Sequence, residues 1–334
     1  MRIEPFSLSL STPLDTAAGT IDERRGFLVR LDSDGTPGLG EATPLPGWTE
    51  SLDDCEATIR RVDDPESALD DDSLAAAPAA RHGVSLAVLD ARARAAGDPL
   101  YRHLGAETDV ETVPVNATVG DGEPKATAEA AADAVAEGFP AVKLKVGARS
   151  LSADIERLEA VRRRCPDVEL RADANGAWDH ETAERALSAF ADHDVAFVEQ
   201  PLSAGDLSGH ADLRGGPVGI ALDEGLHEHG IDAVLAAAAA DVIIIKPMAL
   251  GGVDQAADVG RRAIDAGLDV VVTTTIDGAV ARAAAVHLAA ALPRVRACGL
   301  ATRSLLAEDI RENVAPIRSG AAVVPQGKGN IPPS

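Results

Sequence analysis

From Val113 onward the chain repeats one texture at nearly constant length: an apolar strand, a polar turn and an alanine-rich helix. Strand-like runs fall at 113–118, 141–146, 168–174, 196–199, 218–222, 241–246, 269–274 and 296–301, eight in all. The stretches between them, such as 126–137, 154–164, 181–193 and 253–266, have helical composition and are long enough for the crossover that joins parallel neighbours. Eight such units predict an α/β protein built on a (β/α)8-type barrel. Its last helix is expected to be degenerate, because only 33 residues follow Ala301 and they end in Gly- and Pro-rich sequence.

Residues 1–110 lack this rhythm. They mix alternating runs such as 26–31 with a helical stretch, 79–96, where Val84, Leu86, Val88 and Leu89 supply apolar contacts. The expected organisation is an α+β capping domain over 1–110, a barrel carrying the catalytic site over 111–305, and a C-terminal segment, 306–334, that returns to the cap.

Placed on that frame, Lys145, Asp173, Glu199, Asp223 and Lys246 lie 28, 26, 24 and 23 residues apart, one unit each, and each ends its strand. Active sites of such barrels sit at that end. Period-two alternation puts Lys143 and Lys145 on one face with Val142, Leu144 and Val146 on the other. Likewise Arg171, Asp173 and Asn175 share a face opposite Leu170, Ala172 and Ala174, so the polar set points inward. The chain uses five lysines against 26 arginines, yet Lys143, Lys145 and Lys246 all lie in apolar runs. Burying an ammonium is costly unless it is paired or its pKa falls, and lysine, unlike arginine, can act as a base.

Asp173, Glu199 and Asp223, converging from successive strands, form the all-oxygen environment that suits Mg2+, with Mn2+ as an alternative. Without a cation their mutual repulsion would be costly. Lys143 beside Lys145 is expected to lower the Lys145 pKa toward the range of a general base, and Lys246 faces the pair from across the barrel. This arrangement suits proton abstraction next to a carboxylate, the metal taking the negative charge of the enediolate while a lysine removes the α-proton.

Other features have plainer readings. The eight histidines show no ligand spacing, and His227, His229 and His287 read as solvated or core residues. Gly251-Gly252 reads as a tight turn rather than a phosphate cradle. The run Asp70-Asp71-Asp72 reads as a solvated loop.

A formal charge of −23 disfavours nucleic acid and anionic membranes as partners. With 2% aromatic residues and few lysines, the composition suits a salt-rich cytoplasm, where molar salt shrinks the Debye length to roughly 3 Å. Cys55, Cys165 and Cys298 are too far apart for a Cys-x-x-Cys site and read as core residues. No apolar signal core opens the chain, and a cytoplasmic location is expected. A homo-oligomer stays open.

These residues resemble the enolase superfamily, and within it the muconate lactonizing enzyme subgroup. Val142-Lys143-Leu144-Lys145-Val146 is similar to the Lys-x-Lys strand of that subgroup. Arg171-Ala172-Asp173-Ala174-Asn175, Val198-Glu199-Gln200-Pro201 and Ala221-Leu222-Asp223-Glu224 are similar to its three metal-ligand segments. Ile245-Lys246-Pro247 is similar to the segment of its second lysine. Closer still is the resemblance to the o-succinylbenzoate synthase family of menaquinone biosynthesis. It is carried by Gly40-Glu41-Ala42-Thr43-Pro44-Leu45-Pro46-Gly47, Val113-Pro114-Val115-Asn116-Ala117 and Thr275-Ile276-Asp277-Gly278-Ala279.

That resemblance implies cap loops near 17–21 and 46–50 that close over a small carboxylate substrate. It implies substrate-binding roles for Thr20, Gly47, Trp48, Asn175, Thr273, Thr274, Thr275 and Gly278, and catalytic roles for Lys143, Lys145 and Lys246. Lys145 would remove the α-proton of 2-succinyl-6-hydroxy-2,4-cyclohexadiene-1-carboxylate and then protonate the departing hydroxyl in a syn elimination. Lys246 would stabilise the intermediate from the opposite face. The sequence departs from the family at Gly327-Lys328-Gly329-Asn330 and in the three threonines 273–275. Segment 298–305 lacks the Asp-x-Asp pair of the resembling dipeptide epimerases. N-succinylamino acid racemization is the alternative activity, and a barrel that binds a carboxylate as a scaffold or sensor is the alternative outside enzymes.

Overall fold

The computed structural model describes residues 1–16, 19–70 and 72–332. Ala17 and Ala18 of the first expected closing loop and Asp71 of the acidic run lie outside the described residues.

The cap opens with an antiparallel sheet, β1 (Arg2–Thr16), β2 (Gly19–Ser33) and β3 (Thr36–Ala42), followed by helices α1 (Leu52–Arg60), α2 (Ser67–Asp70), α3 (Pro78–Ala96) and α4 (Leu100–His103). Helix α3 packs on β3 almost backbone to backbone. A Cβ on Gly40 would lie 1.9 Å from the Gly83 carbonyl oxygen, and one on Gly38 2.0 Å from that of Ala87. Only glycine permits this approach, and the glycines of the Gly38-Leu39-Gly40 run therefore have a packing reason.

The barrel strands follow a short β4 (Thr112–Pro114): β5 (Asn116–Val119), β6 (Ala141–Lys145), β7 (Glu169–Asp173), β8 (Val195–Glu199), β9 (Gly219–Leu222), β10 (Val242–Ile245) and β11 (Asp269–Val272). These seven form one parallel sheet in sequence order. Between them run α5 (Pro124–Ala136), α6 (Leu151–Arg164), α7 (His180–Ala191), α8 (Leu207–Leu213), α9 (Glu224–Ala237) and α10 (Val253–Asp265). Helix α11 (Ala279–Ala291) follows β11, and β12 (Ile317–Arg318) and β13 (Ala321–Val323) pair with β4.

The expected eighth strand, 296–301, is reduced to isolated bridges, Val115 to Cys298 and Thr273 to Gly299. It still closes the circle. Arg296 N and Gly299 N donate to the carbonyls of Val270 and Val272, while Asn116 N donates to that of Cys298. Arg171 adds a cross-strand bolt from inside the barrel, its Nη1 donating to the Ala297 carbonyl at 2.6 Å. Among the described residues no regular helix follows this segment, only a 3-10 turn over Thr302–Leu305, as the short remaining sequence predicts.

All thirteen residues of α11, eleven of them alanine, valine or leucine in a row broken only by Arg282 and His287, are buried. A helix apolar all round must be covered all round. Here α4, β3 and the chain's last turns supply the cover. His287, fully buried, accepts from Tyr101 N through Nδ1 and meets the Asn330 carbonyl through Nε2, so it is a core residue whose pKa burial lowers to about 4. Cys55, Cys165 and Cys298 are buried free thiols. The Gly251-Gly252 pair forms a turn, with φ of 84° and 151°, against which Arg81 of the cap donates to the Gly251 carbonyl.

Candidate active site

Parallel register brings the in-phase residues side by side. Lys145 stands opposite Asp173, Asp173 opposite Glu199, and Glu199 opposite Ala221, two residues short of Asp223, which directly follows the next strand. Asp173, Glu199 and Asp223 are 1%, 3% and 4% exposed. Three buried carboxylates demand positive charge, and the lysines provide it. Lys143 Nζ donates to Asp173 Oδ2 at 2.7 Å and to both Glu199 oxygens at 2.9 and 2.8 Å. Lys145 Nζ donates to Asp173 Oδ2 and to Asn175 Oδ1, each at 2.7 Å. Lys246 Nζ is bound to Asp223 Oδ2.

The electrostatics follow. Burial and the charge of Asp173 push Glu199 up to about 7. Burial, opposed by Lys246 and reinforced by Glu224, pushes Asp223 up to about 6. Burial acts upward on Asp173 too, but Lys143 and Lys145 outweigh it and hold that carboxyl below its ordinary range. Burial alone would lower Lys143, yet Asp173 and Glu199 outweigh it and raise its pKa. The expected bare repulsion between Lys143 and Lys145 is therefore replaced by a shared acceptor, Asp173. The Lys145 side chain is also less buried than expected, 39% exposed against 17% for Lys143 and 14% for Lys246.

The donor set, three buried carboxylates of which Glu199 and Asp223 are pushed up by burial, fits a hard divalent cation. Among the described residues no group of three or more His, Cys, Asp or Glu side chains is gathered around a single point, because the ammonium groups of Lys143 and Lys246 stand among the carboxylates.

The residues expected to bind substrate divide into two groups. Trp48 of the β3–α1 connection lies against Lys246, whose Nζ is 3.4 Å from the ring centroid. Asn175, at φ 44°, bridges Lys145 and Glu224 Oε1. By contrast, the threonine hydroxyls are engaged within the protein: Thr273 with the Gly299 carbonyl, Thr274 with Thr302 and Thr275 with Asp277. Gly278 N donates to Glu41. Gly47 is exposed at φ 94°, and Thr20 is exposed near the start of β2.

Several residues of the site escaped the sequence reading. His227, exposed, sets its ring 5.5 Å from that of Trp48. Gln200, fully buried, accepts from Asp223 N and Gly225 N and so fixes the turn that carries Asp223. Arg157 of α6 is fully buried and donates to the Lys145 carbonyl at 2.8 Å, to the Gly120 carbonyl at 2.5 Å and to Asp154 at 2.8 Å. The available signal for this last pair was an acid and an arginine three apart on a helix, Asp154 and Arg157, which also reads as an ordinary surface pair.

Comparison with known proteins agrees with this geometry. The family described as Enolase C-terminal domain-like matches residues 126–330, and the MenC N-terminal domain matches residues 3–91. The chain is 32% identical over 314 residues to the L-Ala-D/L-Glu epimerase of Bacillus subtilis, covering 87% of this chain and 84% of that one. It is 41% identical over 205 residues to the o-succinylbenzoate synthase of Thermobifida fusca, spanning 60% of this chain and 62% of that enzyme. Among solved structures, a dipeptide epimerase from Enterococcus faecalis complexed with Mg and the dipeptide L-Leu-L-Tyr superposes with a TM-score of 0.89 at 27% identity, over 98% of this chain and 97% of that one. With lysines ending strands β6 and just past β10, carboxylates at the ends of the three strands between, and a cap laid over them, the chain belongs to the enolase superfamily.

Proposed function

We propose that this enzyme is an o-succinylbenzoate synthase, dehydrating 2-succinyl-6-hydroxy-2,4-cyclohexadiene-1-carboxylate. The observation that carries the reading is the pairing of Lys145 and Lys246, on strand ends four places apart in the barrel, around three buried carboxylates. Asp173, Glu199 and Asp223 would hold Mg2+, which when bound supplies positive charge to the substrate carboxylate as its acidity is drawn on. Lys145 Nζ, hydrogen-bonded to Asn175 and open to solvent, takes the α-proton and returns it to the departing hydroxyl, so that the C–O bond breaks, water leaves and the ring becomes aromatic. Lys246, held against Asp223 and Trp48, keeps a cation on the far face of the enolised acid.

Two observations favour the lyase over dipeptide epimerization. The cap matches the MenC N-terminal domain. Segment 296–303 presents no acidic side chain to a substrate ammonium, and Asp309 nearby is bound to Arg282 and Arg303. N-succinylamino acid racemization is the second reading, supported by the same two lysines, either of which can take or give a proton. A cytoplasmic enzyme that works in high salt completes the proposal, and among the described residues no helix is long and apolar enough to cross a membrane.

The test is turnover of that cyclohexadiene acid, followed by absorbance as the ring aromatises, in molar potassium chloride with Mg2+ and again with a chelator. Rapid, chelator-sensitive turnover is expected. Folded protein that gives none, yet exchanges the α-hydrogen of N-succinylamino acids for deuterium, would move the function to racemization.

A further inference from the structure

We propose that Glu41 of the cap is a positioning residue for the seventh strand-to-helix loop of the barrel, 273–278, and for Trp48; the consequence for substrate rests on the function proposed above. Glu41 sits in β3, is fully buried, and accepts four hydrogen bonds. Thr43 Oγ1 and Gly278 N reach Oε1, each at 2.6 Å. Val280 N and Ala281 N reach Oε2 at 3.1 and 2.9 Å.

The last three donors are the orphan N–H groups that open α11. The helix's own N-cap residue is Gly278, which has no side chain to satisfy them. A carboxylate from the cap therefore does for a barrel helix what a Ser or Asp at its N-cap would do, and adds the attraction between a negative charge and the helix dipole. One neighbour, Gly278, is shaped to admit it. A Cβ on Gly278 would lie 3.0 Å from both Glu41 oxygens and 2.8 Å from Ile310 Cδ1, so a larger residue there would displace the carboxylate.

Arg24 of β2, 3% exposed, grips the other end of the loop. Its guanidinium donates to the Ile276 carbonyl at 3.3 Å and to those of Pro44 and Thr43 at 3.0 and 2.8 Å. Ile276 has φ 62°, a conformation that a β-branched residue adopts only where its surroundings impose it. The same cap connection that carries Glu41 and Thr43 runs on to Trp48, over Lys246. Cap docking, the shape of loop 273–278 and the seat of Trp48 are thus one mechanical unit.

The experiment uses the full chain in molar potassium chloride as wild type, Glu41→Gln and Gly278→Ala, with folding checked by circular dichroism. Glutamine keeps the size but turns an NH2 toward one of the backbone donors. Amide exchange over 276–283 should speed up at least tenfold in both variants, with 141–146 unchanged. In a Trp178→Phe background, acrylamide quenching of Trp48 should rise at least twofold. KM for the cyclohexadiene acid should rise at least tenfold with kcat within threefold. Unchanged exchange in both variants overturns the clamp, and faster exchange with unchanged quenching and KM overturns the positioning role. If wild type turns over no substrate, the function proposed above fails alone, and exchange and quenching still decide this one. Should Glu41→Gln not fold, Thr43→Val, which removes one of the four bonds, takes its place with the same readouts.

Discussion

Lys143 and Lys145, two residues apart on β6, donate to the same oxygen, Asp173 Oδ2, each at 2.7 Å. They do not share the rest of their surroundings. Lys143 also holds both oxygens of Glu199 and is nearly enclosed, whereas Lys145 reaches outward to Asn175. On the function proposed above, Lys143 would balance buried charge and Lys145 would meet the substrate.

Replacing Lys145 by Ala should lower kcat by about 10³-fold, within the range for loss of a general base, with little change in melting temperature. Lys143→Met should instead cost the metal-free protein about 3 kcal/mol, because it leaves Glu199 buried without its counter-charge and Asp173 with Lys145 alone. Urea midpoints and aromatisation rates for the two variants separate the roles. Equal effects of both on stability would contradict the division.

Added Mg2+ should raise the melting temperature, and the rise should be larger at pH 8 than at pH 6. In the metal-free fold Glu199 is pushed up to about 7 by burial and Asp173, above its ordinary 4.5. Its contribution to stability is therefore full below pH 4.5 and lost as pH rises through 7, because burial and Asp173 outweigh Lys143. A cation relieves that cost only once the proton has gone. Differential scanning fluorimetry with Mg2+ or chelator at both pH values checks this, and Glu199→Gln should flatten the difference.

Lys246 Nζ lies over the face of the Trp48 ring. In the Trp178→Phe background its emission should change on addition of o-succinylbenzoate. Trp48→Ala should raise KM about tenfold, close to 1.4 kcal/mol and within the range of a partly desolvated cation–π contact. An emission spectrum indifferent to ligand would place the ring outside the binding face.

Arg157 donates to Lys145 O, Gly120 O and Asp154 from a fully buried position on α6. Arg157→Met leaves Asp154 buried and unpaired and should cost about 3–5 kcal/mol, seen as a lower denaturant midpoint. The double variant Asp154→Asn with Arg157→Met should cost less than the sum of the singles.

Net charge −23 makes folding salt-dependent through self-repulsion. Circular dichroism should show a higher melting temperature in molar potassium chloride than in dilute buffer, by more than 10 °C. Identical melting curves in the two would remove salt from the account of this chain.

The order of the barrel and the placing of its charged residues were legible because both are periodic in sequence. Lys145, Asp173, Glu199, Asp223 and Lys246 recur once per βα unit, and period-two alternation says which of their neighbours face inward. The helices at 124–136, 151–164 and 253–265 likewise lie where periodicity expects them. The eighth strand was legible only as a position, since whether 296–301 pairs as a strand depends on backbone partners from both neighbours and on Arg171 reaching it from across the barrel.

What tertiary structure alone decided is which charges meet. Lys143 and Lys145 read in sequence as a repelling pair, but the register of β6 against β7 places one carboxylate between them. Glu41 and Gly278 are separated by 237 residues, and Arg157 and Gly120 by 37. No local pattern encodes such pairs, because a buried hydrogen bond depends on where two backbones arrive in space. Repetition along the chain determined the barrel and its ring of acids and lysines; strand register decided how that ring is charged, and the packing of the cap how its rim is held.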